Sequence, residues 1–239
     1  MRDATAAPLL GVVTIGQSPR PDLVAAFAAH APGARVAVRG ALDGLSVREV
    51  DALAGLPTDY PLLVRLADGT TREIGRDVLH PRVVQQARAF AADGATAVAI
   101  ACAGDFPDVP CDVPVVLPGR VVPAVTRALG ATARVGVVTP VAGQIAAATA
   151  KWRADGFDPV TVAAPPDDDA QLDRAADILR AAGVPLIVLD CMGHADDAAR
   201  RLEARSGARV LLAQSLAARV AGELVRSPAP GAIFPPHDS

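Results

Sequence analysis

Lysine is nearly missing from this chain. Of 23 basic residues only Lys151 is a lysine, so any Schiff-base chemistry, pyridoxal phosphate included, would fall to that one residue beside Trp152 and Arg153 in a polar helical stretch. Aromatic residues are scarce at 3%, which argues against broad stacking platforms for bases or sugars. The formal net charge of -3 and a pI of about 5.8 come without a basic stripe, so no nucleic-acid partner is expected. No apolar run approaches the ~18 residues of a membrane span, so no membrane association is expected either. The segment Met1 to Pro8 has no apolar signal core and reads as a short disordered lead. Cysteine is limited to Cys102, Cys111 and Cys191; an odd number without a secretory signal suggests a reduced, cytoplasmic protein. His30, His80 and His237 have no partner in sequence, so no metal set is expected. Walker A, Gly-x-Gly-x-x-Gly, Gly-x-Ser-x-Gly and Cys-x-x-Cys patterns are all absent, which disfavours nucleotide-dependent enzymes, serine hydrolases and thioredoxin-like redox chemistry.

What is present is the pattern of an α/β protein. With 239 residues, 51% hydrophobic and 21% charged, the chain is long enough to bury a core without staples. Apolar β-branched runs (Leu9 to Ile15, Ala97 to Ala101, Arg134 to Thr139, Pro185 to Asp190) read as buried strands, and amphipathic stretches between them as helices. Ser46 and Glu49 stand at capping-box spacing, and Asp68-Gly69 between two short apolar runs signals a hairpin at about 60–75, inserted into an otherwise parallel plan. Pro81 is expected to open the helix that ends at Gly94.

The pattern restarts halfway. Gly11-Val12-Val13-Thr14 returns as Gly136-Val137-Val138-Thr139, and each half later offers an apolar strand ending in cysteine, AIACAG and VLDCMG. The expected fold is two pseudo-symmetric α/β lobes with mainly parallel sheets and a cleft between them. Residues 1–118 with 209–226 would form the first lobe and 119–208 the second, with 227–239 a disordered tail. Ligands of open α/β sheets bind beyond the carboxyl ends of the strands, where Thr14, Cys102, Thr139 and Cys191 would sit.

Cysteines at two corresponding strand ends suggest a two-base site: one thiolate takes a proton from carbon, and the opposed thiol returns one to the other face. The competing reading is simple packing, since free cysteine is among the most buried residue types. Cys111, between Pro110 and Asp112, reads as structural. The turn Gly16 to Asp22 places Gln17, Ser18 and Arg20 over the same cleft, where Arg20 would clamp a carboxylate; a turn that merely caps its helix explains the same residues. Ala103, Gly104, Met192 and Gly193 would bring backbone N–H groups to an anion. Asp105, Asp190, Thr139 and His194 are further candidates whose alternative is helix capping or solvation, and Arg120 is a weaker anion-binding candidate.

The stretches VVTIGQSPRPDL, ACAGDFP and VLDCMGH resemble the AroM protein family, nearly from end to end. That family is similar in turn to the aspartate/glutamate/hydantoin racemase superfamily. The resemblance implies two α/β lobes, one cysteine from each beside the substrate, no cofactor and no metal. It assigns Cys102 and Cys191 as catalytic and Thr139 as near the substrate, with a homodimer as the expected assembly. Where amino-acid racemases carry an acidic or Asn-rich first turn, this chain has Thr14-Ile15-Gly16-Gln17-Ser18, and Ala103 stands where they have Asn; both departures turn the expectation away from amino acids. The function expected is a cofactor-independent racemase or epimerase using two opposed cysteines on a small anionic substrate, a carboxylate or hydantoin-like compound. A decarboxylase or isomerase using one cysteine and a non-catalytic small-anion binding protein remain as alternatives.

Overall fold

The computed structural model describes residues 7–130 and 133–226. The expected tail 227–239 and most of the expected lead lie outside the described residues. The chain runs β1 (Leu9–Thr14), α1 (Pro21–Ala28), β2 (Arg35–Gly40), α2 (Val47–Ala54), β3 (Pro61–Arg65), β4 (Thr71–Gly75), α3 (Arg76–Ala92), β5 (Ala97–Ala101), β6 (Val115–Val116) and α4 (Pro118–Ala128). It continues with β7 (Arg134–Thr139), a 3-10 turn at Ala142–Gln144, α5 (Ile145–Ala154), β8 (Asp158–Ala163), α6 (Asp169–Ala181), β9 (Leu186–Leu189), α7 (Asp196–Ser206), β10 (Arg209–Leu212) and α8 (Ala213–Leu224). Among the described residues no helix is long and apolar enough to cross a membrane.

Two four-stranded parallel sheets result, ordered β2-β1-β5-β6 and β8-β7-β9-β10. The second order is the first repeated strand for strand, so the restart seen in sequence is a repeat of topology. Packing repeats it as well. A Cβ on Gly11 would lie 2.5 Å from the Phe90 ring of α3, and one on Gly136 would lie 3.0 Å from Leu179 of α6. In each copy the glycine of Gly-Val-Val-Thr lets the helix preceding the middle strand settle onto the sheet.

Three apolar clusters hold the molecule. One lies on the outer face of the first sheet around Val13, Ile100, Leu79 and Phe90, and another on the outer face of the second around Val138, Ile187 and Leu179. The third joins the two lobes: Leu10, Val12 and Ala99 share it with Val135, Val137, Trp152 and Val188. The inner faces of the two sheets therefore share one core, filled between them by residues of α1, α4, α5 and α8 such as Phe27, Val122, Trp152 and Ala217.

Two sequence expectations change here. The strand 209–212, expected with the first lobe, pairs in parallel with β9 from Arg209↔Leu186 to Leu212↔Leu189 and belongs to the second sheet. Helix α7 between β9 and β10 is the crossover that joins neighbouring parallel strands. Helix α8 then turns back and packs on α1 and α4, so close to the end of α1 that a Cβ on Gly222 would sit 1.9 Å from the His30 carbonyl oxygen. The second change concerns α3, which starts at Arg76 and not at Pro81. The buried stripe Leu79, Val83, Ala87 and Phe90 continues through the proline, whose ring faces solvent, and burial of that stripe outweighs the one missing amide bond. The capping box and the hairpin are as expected: the Ser46 Oγ accepts from the Glu49 amide, and β3 and β4 pair around Asp68-Gly69, where Gly69 has φ +87°.

Candidate active site

The carboxyl ends of β1, β5 and β9 meet at a cavity of about 90 Å³. β5 delivers Cys102, Ala103 and Gly104 to its wall; β9 delivers Asp190, Cys191, Met192 and Gly193. Thr14 and Arg20 close it from the first strand and its turn. The hairpin covers it with Leu62, Leu63, Arg65 and Thr71, and the second lobe adds Pro140, Gln144, Pro166 and Asp167. The hairpin is tied across the cleft: the Gln144 side-chain amide donates to the Pro61 carbonyl at 2.7 Å, and Arg65 stands 4.0 Å from Asp167. Sequence marked the hairpin as an insertion, and the structure makes it the roof.

The two cysteines occupy equivalent settings. Each is free, and each Sγ accepts the backbone N–H of the glycine two residues on, at 3.4 Å for Cys102 and 3.3 Å for Cys191. Burial pushes both thiols up, Cys102 to about 12 and Cys191 to about 11; the glycine N–H groups pull the other way and lose. For Cys102 the neighbouring Cys191 adds to the rise, and for Cys191 the neighbouring Asp190 does. Both are thiols at neutral pH.

Arg20 is the cation beside them. Its guanidinium pairs with Asp22 through Nε and Nη2 and donates from Nη1 to the Thr14 hydroxyl at 3.4 Å. Two of its five N–H bonds remain for a ligand. Thr14, not Thr139, is the cleft hydroxyl: Thr139 is buried and turns its Oγ1 to the Val141 carbonyl at 3.1 Å.

Of the residues singled out in sequence, Cys102, Cys191, Arg20, Ala103, Gly104, Met192 and Gly193 come together at the cavity wall. Gln17, Ser18, Asp105, Thr139 and His194 do not. The Gln17 amide donates to the Leu42 and Leu45 carbonyls and accepts from the Ala67 N–H, so it buttresses the roof from behind. Ser18 gives both its N–H and its hydroxyl to Asp43. Asp105 donates its N–H to the Tyr60 hydroxyl and sets its carboxylate 3.7 Å from Arg76. His194 is buried, and burial pushes it down to about 4 against the opposing pull of the Ala164 backbone. Arg120 pairs with Asp108 on the surface. Cys111 donates to the Ala87 carbonyl, as a structural residue would.

Sequence reasoning missed one assembly. Lys151, the only lysine, is buried against the cleft floor, where its Nζ donates to the Ala103 carbonyl at 2.8 Å and to Asp190 Oδ2 at 3.2 Å. The Trp152 indole N–H donates to the same oxygen at 2.9 Å. One ammonium thus bonds the residue after Cys102 and the residue before Cys191. The signal available beforehand was a solitary Lys-Trp pair on an alanine-rich helix. Among the described residues no group of three or more His, Cys, Asp and Glu is placed to hold a metal ion.

The AroM protein family model matches residues 10–225. No curated protein matches the chain in sequence. Solved structures match its fold. Unliganded arylmalonate decarboxylase superposes with a TM-score of 0.62 at 17% identity, covering 93% of this chain and 94% of that one. Allantoin racemase from Klebsiella pneumoniae gives 0.60 at 19% identity over 91% and 87% of the two chains. Glutamate racemase from Aquifex pyrophilus gives 0.57 at 14% over 91% and 84%.

Proposed function

This chain belongs to the AroM family, and we propose that it is a cofactor-independent racemase or epimerase acting on a small carboxylate or hydantoin-like compound. The observation that carries the reading is the pair of thiols: Cys102 and Cys191 stand at corresponding strand ends and border one cavity. In the proposed reaction one sulfur, as thiolate, takes the C–H proton. The electron pair moves into the adjoining carbonyl as an enolate, and the other thiol protonates the carbon on its opposite face. Arg20, with Thr14 behind it, holds the anionic group, and the N–H groups of Gly104 and Gly193 steady whichever sulfur carries charge.

The raised thiols set a condition on the substrate. With Cys191 near about 11, on the order of one molecule in a thousand carries that thiolate at pH 8. A C–H bond already acidified, as in a hydantoin, suits so weakly populated a base better than that of a simple amino acid. The same observation favours a second reading, decarboxylation of a malonate-like diacid with a single cysteine. There the C–C bond to the leaving CO2 breaks, its electron pair stays on carbon, and a neutral thiol supplies the proton. A third reading, a non-catalytic small-anion binder, uses the cavity alone.

Solvent-deuterium exchange followed by NMR on chiral hydantoins and 2-substituted acids, with CO2 release from malonates in parallel, separates them. Loss of exchange in both Cys102→Ser and Cys191→Ser is the result expected of two opposed bases. One essential and one dispensable cysteine supports the single-cysteine reaction. Ligand-dependent thermal stabilisation that survives both substitutions, with no turnover, overturns the enzymatic reading. Iodoacetamide labelling read by mass spectrometry should find both cleft thiols slow at pH 7, with Cys191 gaining reactivity before Cys102 as pH rises; alkylation of either at the rate of a free cysteine would contradict the burial argument.

A further inference from the structure

The assembly beneath the cleft floor leaves one atom without a partner. Asp190 Oδ2 takes two donors, from Lys151 and Trp152, whereas Oδ1 is buried and takes none. Asp190 is also one of the residues that border the cavity. A buried carboxylate oxygen without a donor is costly, because it has given up its water for nothing. The other polar groups nearby do not relieve it. Lys151 divides its donors between Ala103 and Oδ2, the indole N–H is spent on Oδ2, and the Gly193 N–H is spent on the Cys191 sulfur. Holding the two cysteine segments together needs only Oδ2. The second oxygen is left over behind a wall that also presents the two thiols, apolar carbon, the Arg20 and Arg65 cations, the Thr14, Thr71 and Gln144 side chains and, on the far lobe's loop, the Asp167 carboxylate.

We propose that Asp190 Oδ1 is a ligand-binding group that accepts an N–H or O–H carried by the substrate beside its carboxylate or carbonyl. The cavity then recognises its ligand at two points: an anionic or carbonyl oxygen at Arg20, and a hydrogen-bond donor at Asp190. This selects 2-hydroxy acids, 2-amino acids and ring N–H compounds over acids of the same size that have no donor, and it disfavours 2-oxo acids, whose carbonyl would face a carboxylate. Lys151 and Trp152 are the positioning residues that fix which carboxylate oxygen is offered. The inference rests on the reading of this cavity as a substrate site.

Isothermal titration of the full chain with lactate, propionate and pyruvate tests it, since the three share a carboxylate and a carbon count and differ at one position. The wild-type protein should bind lactate at least roughly tenfold more tightly than propionate, the span of one hydrogen bond to a charged group, with pyruvate no tighter than propionate. In Asp190→Asn the amide oxygen takes the Lys151 and Trp152 donors and turns the NH2 to the place of Oδ1. The order should then reverse, with pyruvate bound ahead of lactate. Equal affinities in the wild type, no binding of lactate, or an unchanged lactate preference in Asp190→Asn overturns the proposal. The wild-type ranking stands on its own if the variant does not fold. Because binding is read without turnover, the two readings fail separately. Deuterium exchange with no donor preference sinks only the Asp190 assignment; a donor preference with no exchange or CO2 release sinks only the catalytic one.

Discussion

Replacing Lys151 with methionine keeps the stem of the side chain and removes the ammonium from a pair whose two side chains are only 6% and 5% exposed. Two things then happen at once. Asp190 keeps its charge in the same buried place with the Trp152 indole as its remaining donor, and the Ala103 carbonyl loses the hydrogen bond it receives at 2.8 Å. Removing one partner of a buried ion pair strands the other, which costs about 3–5 kcal/mol. That is a large share of the ~5–15 kcal/mol by which a domain is folded. The assay is urea denaturation of wild type, Lys151→Met, Asp190→Asn and the double variant. The double variant has no stranded charge, so it should recover at least half of the loss seen in Lys151→Met, and the cycle should show a clear coupling term. A loss below about 1 kcal/mol in Lys151→Met, or a double variant equal to the sum of its parts, would refute the view that this pair braces the two cysteine segments.

Two further outcomes follow from other parts of the molecule. Burial lowers His194 to about 4 from 6.5, so the folded protein takes up that proton less readily than the unfolded chain. Stability is therefore lost as pH falls through 6.5 towards 4, by up to about 3 kcal/mol, and His194→Leu should flatten that part of a melting-temperature profile against pH. Gly222→Ala should cost about 2 kcal/mol or more, because its Cβ would meet the His30 carbonyl oxygen at 1.9 Å. Gly55→Ala, whose Cβ would meet nothing nearer than 3.7 Å, should be neutral or slightly stabilising; urea midpoints of the two variants check the contrast.

Much of the scaffold could be read from sequence because it is local. A buried parallel strand needs a run of β-branched residues, and Leu9–Thr14, Ala97–Ala101 and Arg134–Thr139 announce themselves that way. The Gly-Val-Val-Thr repeat located both lobes and, through their strand ends, both cysteines. Strand β10 was harder: Arg-Val-Leu-Leu has no feature that names its neighbour, and following the repeat to its last member would have placed it beside β9. Within the site, the apolar and glycine positions next to the cysteines came out where chain geometry put them. Of the polar candidates only Arg20 and Asp190 did. Gln17, Ser18 and Thr139 have side chains suited to a ligand, but Leu42, Leu45, Asp43 and Val141 reach them first, and those partners come from segments whose approach no spacing rule describes. Lys151 and Asp190 were visible as letters; that Lys151 reaches Asp190 within its own lobe and Ala103 in the other is decided by the shared core.

The strand-for-strand repeat has a consequence for asymmetry. A cleft assembled from two copies of one motif shows a guest nearly the same furniture from either direction: a sulfur, a glycine amide, an apolar strand end. Such a site has little means of its own to tell left from right. Whatever preference it expresses must come from the unpaired features, namely the hairpin with its Arg65 over one side, the guanidinium of Arg20, and the carboxylates of Asp167 and Asp190. The repeat then supplies a matched pair of thiols and amides, and the features present on one side only give the cleft a direction.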